Sequence, residues 1–208
     1  MKDLVVVIMV GVTVFSCQPT NGANLFTAFS RSFGPTEPVT FTTVRRAGDY
    51  EERLYQAKFW ACTEHHGAQY TIDDKLELFY RLFAYIGGKN SKGEKLVLGI
   101  PVSIEHNISD EEHIFNACFF IPEAAQADPP TPTDPNVHIT LRPQMTILTR
   151  RLGGYATDET TWNTETEKLT SIITAAGEHV IPNHVFWNAY DPPFKFWNRR
   201  NEVWLVKE

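Results

Sequence analysis

The sequence predicts an α+β domain in which antiparallel strands pack with two helices. Two observations lead to this fold class: the order strand, helix, strand, strand occurs twice, and the Pro-rich stretch 126–135 separates the two occurrences. Proline interrupts helices and central strands, so this stretch divides the domain into halves at about 41–125 and 136–208. A third observation argues against a parallel nucleotide-binding sheet, because no G-x-G-x-x-G sequence follows a strand.

Each half supplies its own strands and one helix. Aromatic and β-branched residues predict the strands of the first half at 41–44, 50–63, 96–105 and 113–121. The strands of the second half are predicted at 137–151, 185–189 and 202–206. The segments 50–63 and 137–151 correspond, as do the two helices, so the halves are related by element order more than by sequence identity.

The first helix, predicted over 76–86, has more apolar surface than packing on one core requires. Asp73 or Asp74 can cap its start, and Gly87 with Gly88 can end it. At about 100° per residue its apolar side chains cover roughly 220° of the helix, whereas one core needs only about 100°. The surplus predicts a second apolar partner: a ligand, another chain or a membrane.

The second helix, predicted over 162–176 and ended by Gly177, differs in this respect. Its apolar stripe is about 100° wide, as expected for an ordinary surface helix. The asymmetry between the helices therefore indicates that the first half is the specialised one.

Cations flank the surplus surface of the first helix. Arg81 borders the apolar arc, and Lys195 lies among aromatic residues in the segment 192–197. An apolar cavity with cations at its rim suits a flat, amphiphilic, anionic ligand. Alternatively, Arg81 extends into solvent with its stem on the helix. The residues predicted to contact the ligand are Leu78, Phe79, Arg81, Leu82, Tyr85, Phe194 and Lys195. Leu76 and Phe83 are expected in the core.

The N-terminus has the features of a secretory signal peptide. Lys2 precedes the apolar run 4–15, and small and polar residues follow. This run is too short to span a bilayer, so no stable membrane span is predicted; the alternative is a buried N-terminal strand. We expect the signal peptide and the start of an arm within residues 1–23, a loosely ordered arm over 24–40, and the domain over 41–208.

Two further features bear on a secreted, extracellular location. The tripeptide Asn107-Ile108-Ser109 is a glycosylation sequon that the secretory route would make usable, which predicts a glycoprotein. Cys62 and Cys118 lie in predicted strands and could pair in an oxidising compartment. Two buried free thiols are the alternative.

Composition and motifs argue against several classes of function. A net charge of −6 disfavours a nucleic-acid binder, which needs a basic surface. The sequences G-x-S-x-G and H-E-x-x-H do not occur, so no enzyme is predicted. Cys-x-x-Cys does not occur either, and the adjacent pair His65-His66 points to opposite faces of a strand, so no metal site is predicted.

Several distinctive blocks follow one another along the sequence. In the first half they are Tyr50-Glu51-x-Arg53, YIGGKN at 85–90, Pro101-Val102 and FFIP at 119–122. In the second half they are DPPTPTD at 128–134, RRLGGYA at 150–156, YDPP at 190–193 and NRRNEVWL at 198–205. With these blocks the chain resembles the SOUL/heme-binding protein family, from about Phe41 to Lys207, which is nearly all of the mature chain.

The resemblance implies a distorted antiparallel β-barrel with two helices, built from a duplicated βαββ unit and similar to bacterial drug-sensing regulatory domains. It implies non-covalent binding of heme, other porphyrins or related tetrapyrroles, without catalysis. The binding surface in the family includes the first helix and the loop before the last strand, which correspond to 78–86 and 191–197. The basic residues that meet the propionates correspond to Arg81 and Lys195.

The chain departs from the family pattern in two places. Some members have an axial histidine where this chain has Gln56, a poor iron ligand, and the nearby alternatives are Tyr55 and Tyr85. The usual Met-Thr-x-Pro-Val becomes LGIPV at 98–102, which predicts a change in the adjacent strand. With the signal peptide, the resemblance implies a secreted heme carrier or scavenger. The alternative is a protein-interaction module that uses the same apolar helix face.

Overall fold

Strands dominate the structure. The computed structural model describes residues 35–109, 112–192 and 195–208, with the backbone alone at 108, 109 and 112. Its helices are α1 (Ile72–Ile86) and α2 (Glu159–Ala175). Its strands are β1 (Thr36–Pro38), β2 (Thr42–Ala47), β3 (Tyr50–Tyr55), β4 (Lys58–His66), β5 (Leu98–Ile100), β6 (Val102–Ser109), β7 (Glu112–Phe120), β8 (His138–Arg142), β9 (Met145–Leu152), β10 (Val180–Ala189) and β11 (Asn201–Lys207).

Nine of the strands form one antiparallel sheet in the order β2-β3-β9-β11-β10-β6-β7-β4-β8. Around the central β10–β6 pair the order is palindromic: β10, β11, β9 and β3 on one side repeat as β6, β7, β4 and β8 on the other. The first half therefore contributes β4, α1, β6 and β7, and the second half contributes β9, α2, β10 and β11. The strand that precedes each set, β3 or β8, pairs with a strand of the other half. The predicted α+β fold with two helices is confirmed, and the strand order agrees with a duplicated unit.

The sheet is open, so its description as a distorted barrel is a loose one. β2 and β8 are the two edges, and neither pairs with the other. β2 is an exposed strand that contains Arg45 and Arg46, and charged side chains of this kind protect an edge from further pairing. A closed barrel needs hydrogen bonds between its first and last strands. Here β2 pairs with β3 at one end of the sheet and does not join it to β8 at the other end.

Two predicted strands are interrupted in the structure, and both interruptions have the same consequence. The predicted strand 50–63 is β3 and β4, and its counterpart 137–151 is β8 and β9, with a two-residue gap in each case. β3 pairs with β9, whereas β4 pairs with β8. Each interruption therefore lets the chain cross from one half of the sheet to the other.

Both helices begin at capping side chains. The Thr71 hydroxyl accepts a hydrogen bond from the Asp74 amide at 3.3 Å, and the Asp74 carboxylate accepts one from the Thr71 amide at 2.8 Å. This is a capping box, so α1 starts four residues before the predicted helix and Asp74 lies inside it. α2 begins after Asp158, whose carboxylate accepts a hydrogen bond from the Thr161 amide at 2.7 Å. Gly177 follows α2 with a φ of 75°, a value that glycine adopts without steric cost.

The two faces of the sheet have different roles. The helices cover one face, named the helix face, where α1 packs on β4 and β7 and α2 packs on β9, β11 and β3. The other face, named the far face, carries an apolar core. The largest buried side chains of this core are Tyr55, Trp60, Phe120, Phe186 and Trp204.

Part of the predicted arm is ordered on the far face. β1 pairs in parallel with β5, and Val39 is buried in the far-face core. The compact unit therefore begins at Pro35, before the predicted domain start at Phe41. The predicted signal peptide and the arm up to residue 34 lie outside the described residues. Among the described residues, neither helix has the length and apolarity needed to cross a membrane.

Cys62 and Cys118 form a disulfide in the far-face core. They lie directly opposite each other in the β4–β7 ladder, with Cα atoms 4.2 Å apart and Sγ atoms 2.13 Å apart. Of the two alternatives that the sequence leaves open, the structure therefore has the pair and not the free thiols.

Candidate functional site

The apolar arc of α1 divides into a buried part and an exposed part. Leu78, Leu82 and Tyr85 are 2%, 0% and 2% exposed because they face the sheet. The Tyr85 hydroxyl donates a hydrogen bond to the Pro130 carbonyl oxygen at 2.9 Å, which fixes the end of α1 against the Pro-rich segment. The structure therefore places these three predicted ligand contacts in the core.

The exposed part of the arc consists of Leu76, Phe79, Tyr80 and Phe83, named the aromatic stripe. The rings of Phe79 and Phe83 stack with their centroids 5.7 Å apart, and Tyr80 is 40% exposed. Leu76 and Phe83 are half-buried, so the expectation that both lie in the core is wrong. A helical wheel gives the width of an apolar arc, but only the contacts of the helix decide which part of the arc faces the sheet.

The aromatic stripe faces the centre of the sheet. Phe79 packs edge-on against Phe119 of β7 at a centroid distance of 5.5 Å, whereas Arg81 Nη1 lies 3.4 Å from the Thr63 hydroxyl oxygen of β4. Since β7 lies between β4 and the central strand β6, Phe79 is on the inner side of α1 and Arg81 is on the outer side. Arg81 also forms an ion pair with Glu77. The predicted cation and the exposed apolar surface are thus on opposite sides of the helix.

Apolar residues continue from the aromatic stripe across the helix face. Phe119 lies directly opposite Val102 of β6, and Val102 lies directly opposite Ala189 at the end of β10. Val102 and Ala189 are both half-buried. Two interstrand spacings separate Phe119 from Ala189, a distance of about 10 Å. These three residues, named the central strip, lead from α1 to the loop 190–200, the other predicted part of the ligand surface.

A buried arginine fixes the loop 190–200. The Arg199 guanidinium donates hydrogen bonds to the carbonyl oxygens of Asp191 (3.1 Å), Pro192 (2.6 Å) and Lys195 (2.9 Å). Lys195 Nζ is 2.7 Å from an Asp191 carboxylate oxygen, and the lysine side chain remains partly exposed. The loop is therefore held by its own backbone contacts, and the side chains of Lys195 and Arg200 are both partly exposed.

Two aromatic side chains of this loop reach solvent. Phe196 is 55% and Trp197 is 70% exposed, while Phe194, a predicted ligand contact, lies outside the described residues. Phe196, Trp197 and Arg199 were not among the residues predicted to contact the ligand, whereas their neighbour Phe194 was. The signal for Arg199 is its position between a Pro-containing loop and a strand, where a guanidinium can donate to several carbonyl groups at once.

The three residues considered as iron ligands are poorly placed for that role. Gln56 lines a cleft on the far face, and Tyr55 is buried in the far-face core. Burial raises the pKa of Tyr85 to about 12, and its hydroxyl is already hydrogen-bonded, so the side chain stays a neutral phenol. Within the described ranges, no group of three or more His, Cys, Asp or Glu residues could hold a metal ion.

Comparisons of the sequence with known proteins agree on one family. The family model described as SOUL heme-binding protein matches residues 36–206. Heme-binding protein 1 of Xenopus tropicalis is 34% identical over 163 residues, which are 76% of this chain and 83% of that protein. Heme-binding protein 2 of Homo sapiens is 31% identical over 166 residues, which are 77% of this chain and 79% of that protein.

Solved structures share the fold at much lower identity. The crystal structure of the EcmrR C-terminal domain has a TM-score of 0.57 at 11% identity and covers 76% of this chain and 96% of that chain. The crystal structure of a hydrolase from Listeria innocua has a TM-score of 0.53 at 7% identity and covers 88% and 98%. At such identities the likeness shows the fold alone, because one fold supports many functions.

Proposed function

The chain belongs to the SOUL heme-binding protein family, and on that basis we propose that it binds heme or a related tetrapyrrole non-covalently on its helix face. The observation that carries the proposal is the stacked, half-exposed pair Phe79 and Phe83 beside the central strip. A flat macrocycle can bury one face against these rings, at about 25 cal/mol per Å² of apolar surface. Affinity then comes mainly from apolar burial, reduced by the cost of ordering the complex.

The loop end of the central strip offers the better placed cation. Lys195 is partly exposed, and among the described residues its ammonium group contacts one side chain, that of Asp191. A propionate of the ligand can therefore share this cation. Arg81 lies on the outer side of α1, away from the aromatic stripe, and is paired with Glu77. We therefore infer that Lys195, more than Arg81, meets the carboxylates of the ligand.

The proposed role is binding without catalysis. The aromatic stripe, the central strip and Lys195 would hold the macrocycle and its carboxylates, while heme itself supplies the iron chemistry. Because Gln56, Tyr55 and Tyr85 are poorly placed to ligate iron, these residues are not expected to coordinate the iron of the bound heme.

Titration of the mature protein with hemin tests this proposal. We expect a shifted Soret band and quenching of tryptophan fluorescence at micromolar hemin, with a spectrum that lacks the features of six-coordinate, low-spin iron. A six-coordinate, low-spin spectrum would reveal a protein ligand to iron and overturn the inference about the iron. A folded protein that shows neither the shifted band nor the quenching does not bind heme, and the proposed function would be wrong.

We also propose that the protein is secreted and carries or scavenges heme outside the cell. The signal-like N-terminus and the Cys62–Cys118 disulfide support this, because structural disulfides persist mainly in oxidising compartments. Expression in a secreting host should release the chain into the medium without its first residues, and N-terminal sequencing locates the cleavage. A mass decrease on enzymatic deglycosylation would report use of Asn107. Retention of the uncleaved chain inside the cell would contradict the proposal.

The exposed side chains of Phe196 and Trp197 favour a second candidate, a protein-interaction module, because exposed aromatic residues are frequent at interfaces. Size-exclusion chromatography with and without hemin separates the two candidates. A monomer that binds hemin supports the first, whereas a chain that binds no hemin but co-elutes with a protein partner supports the second.

A further inference from the structure

A second apolar site lies on the far face, away from the aromatic stripe. It is a cleft between the two halves of the strand order. Tyr55 of β3 and Trp204 of β11 line it from one half, and Trp60 of β4 and Arg142 of β8 line it from the other. Val39, which follows β1 and is itself buried, is a further lining residue. The volume of the cleft is about 10 Å³, room for about one water molecule. The cleft is thus lined mainly by aromatic side chains and contains one buried cation.

The buried cation is Arg142, which has unused hydrogen-bond donors. Its guanidinium lies between two rings, 4.2 Å from the centroid of Trp60 and 4.7 Å from that of Phe186. Nη1 donates a hydrogen bond to the Ser103 hydroxyl oxygen at 3.0 Å. Nε and Nη2 have no hydrogen-bond partner among the described residues, and neither has the hydroxyl of Tyr55 in the same cleft. Buried donors without partners cost free energy, which a ligand with acceptor atoms would recover.

The charge of Arg142 is only partly compensated. The nearest carboxylate is that of Glu105, at 3.5 Å from Nη2, and the same carboxylate also accepts a hydrogen bond from His184 Nε2 at 2.8 Å. Burial lowers the pKa of Arg142 to about 10, and the charge of Glu105 opposes that change without reversing it. A buried cation that shares its only near counter-ion within the described residues favours an additional anion.

We propose that the far-face cleft binds a small planar aromatic carboxylate, with Arg142 as the residue that recognises the carboxylate. The ligand oxygens would accept hydrogen bonds from the free donors of Arg142 and Tyr55, while its ring packs among Trp60, Phe186 and Trp204. This goes beyond tetrapyrrole binding, because the cleft is on the opposite face of the sheet from the aromatic stripe.

Val39 acts as the gate of this site. The segment that carries it is held by the three-residue β1–β5 pair and by a hydrogen bond from the Val39 amide to the Ile100 carbonyl oxygen at 2.9 Å. A further hydrogen bond joins the Glu123 amide to the Glu37 carboxylate at 2.7 Å. A ladder this short opens at low cost compared with the central strands, so the gate can move while the sheet stays folded.

Calorimetric titration of the full mature chain with 2-naphthoate tests the proposal. Val39→Gly should tighten binding about tenfold, because it removes a side chain that lines the cleft, and Val39→Phe should weaken it by about as much. Val44→Gly is the matched control, since Val44 is an exposed valine on β2 and should leave the affinity unchanged. Equal affinities in the two Val39 variants would overturn the gate.

Two comparisons test the recognition of the carboxylate. The neutral analogue 2-naphthamide should bind Val39→Gly at least about tenfold more weakly than 2-naphthoate, because hydrogen bonds to a charged group are the stronger ones. Combining Arg142→Met with Val39→Gly should remove the preference for 2-naphthoate over 2-naphthamide, and circular dichroism shows whether the double variant is folded. Equal binding of acid and amide by Val39→Gly would overturn the proposal even if Arg142→Met does not fold. Hemin binding should be unchanged in the Val39 variants, which separates this site from the helix face.

Discussion

Arg53 of β3 and Glu202 of β11 form a buried ion pair across β9, the strand that lies between them in the sheet. Arg53 Nη1 is 2.8 Å from Glu202 Oε2, and Glu202 is 1% exposed. The same carboxylate accepts hydrogen bonds from the Tyr190 hydroxyl at 2.8 Å and the Trp204 indole N–H at 2.9 Å. A buried carboxylate with this many donors ties the loop 190–200 to the sheet and is costly to protonate.

Replacing this carboxylate should destabilise the fold in a pH-dependent way. We expect Glu202→Gln to lower the free energy of unfolding at pH 7 by about 3 kcal/mol, because it removes a buried charge that both Arg53 and Arg200 face, although Arg53 keeps its ion pair with Glu51. Burial alone would raise the pKa of Glu202, but the charge and hydrogen bonds of Arg53, the hydrogen bond from Trp204 and the charge of Arg200 together lower the pKa below its usual 4.5. The carboxylate therefore stabilises the folded state above that value, and the stabilisation is lost as the pH falls through the folded-state pKa.

Urea unfolding of the wild type and Glu202→Gln between neutral and acid pH checks this prediction. The two free energies of unfolding should converge as the pH falls below 4.5, the usual value from which the shift starts. Glu77→Gln is the control, since Glu77 forms a surface ion pair with Arg81 and its loss should change stability little. A difference that stays constant down to the acid limit would show that the charge of Glu202 does not stabilise the fold.

The features that the sequence predicts well are local. The 3.6-residue period and the glycines that follow each helix placed both helices, although α1 begins four residues and α2 three residues earlier than predicted. The Pro-rich stretch separated the halves, because these signals depend on neighbouring residues alone. The crossing of β3 and β8 between halves depends on which strands pair, so segments 50–63 and 137–151 each appeared to be one strand. The Cys62–Cys118 pair likewise depends on the register of β4 and β7, which the sequence does not contain.

The candidate site was predicted in part for the same reason. The width of the apolar arc correctly indicated surplus apolar surface on α1. The side of the arc that faces the sheet was predicted wrongly. The contacts of Phe79 with Phe119 and of Arg81 with Thr63 show how α1 is rotated about its axis against the sheet. Leu78 and Phe79 are adjacent in sequence and equally apolar, yet one is buried and the other half-exposed. Only the position of the sheet distinguishes them.

Gly99 should not accept a side chain. A Cβ atom at this position would lie 1.8 Å from the Phe120 carbonyl oxygen and 2.6 Å from its carbonyl carbon. We expect Gly99→Ala to displace β5 with its partner β1 and to lower the free energy of unfolding by about 1–3 kcal/mol, as for other overpacked sites.

Thermal unfolding of Gly99→Ala beside Gly153→Ala measures this cost. At Gly153 the nearest atom to an added Cβ is the Arg199 carbonyl oxygen at 3.9 Å, an ordinary contact distance. Gly153→Ala should therefore change the melting temperature little. Equal melting temperatures for the two variants would show that β5 can move away from β7 without loss.

The aromatic stripe should carry most of the heme affinity. We expect Phe79→Ala and Phe83→Ala each to weaken hemin binding about tenfold, because each removes part of a stacked, half-exposed ring surface. Soret titration gives the affinities, and circular dichroism shows whether the variants are folded. Val44→Ala, which removes an exposed apolar side chain on β2, should bind hemin as the wild type does. Unchanged affinity in folded Phe79→Ala and Phe83→Ala would remove the stripe from the site.

The two cations that the sequence singled out should contribute unequally. We expect Lys195→Ala to weaken hemin binding about fivefold, which is the size of one partly solvated charge pair, and Arg81→Ala to weaken it less than twofold. The reason is geometric: Lys195 belongs to the loop that the central strip reaches, whereas Arg81 faces β4 on the outer side of α1. Added salt should reduce the affinity of the wild type more than that of Lys195→Ala, because salt screens partly exposed charges.

Arg46→Ala serves as the control for a change in net charge, since Arg46 is an exposed cation on the edge strand β2. If it weakens hemin binding as much as Lys195→Ala does, the effect of Lys195 is one of overall charge and not of position. If Arg81→Ala has the larger effect, the ligand lies on the outer side of α1. The exposed ring of Tyr80 in the aromatic stripe would then become the first place to look for a protein contact.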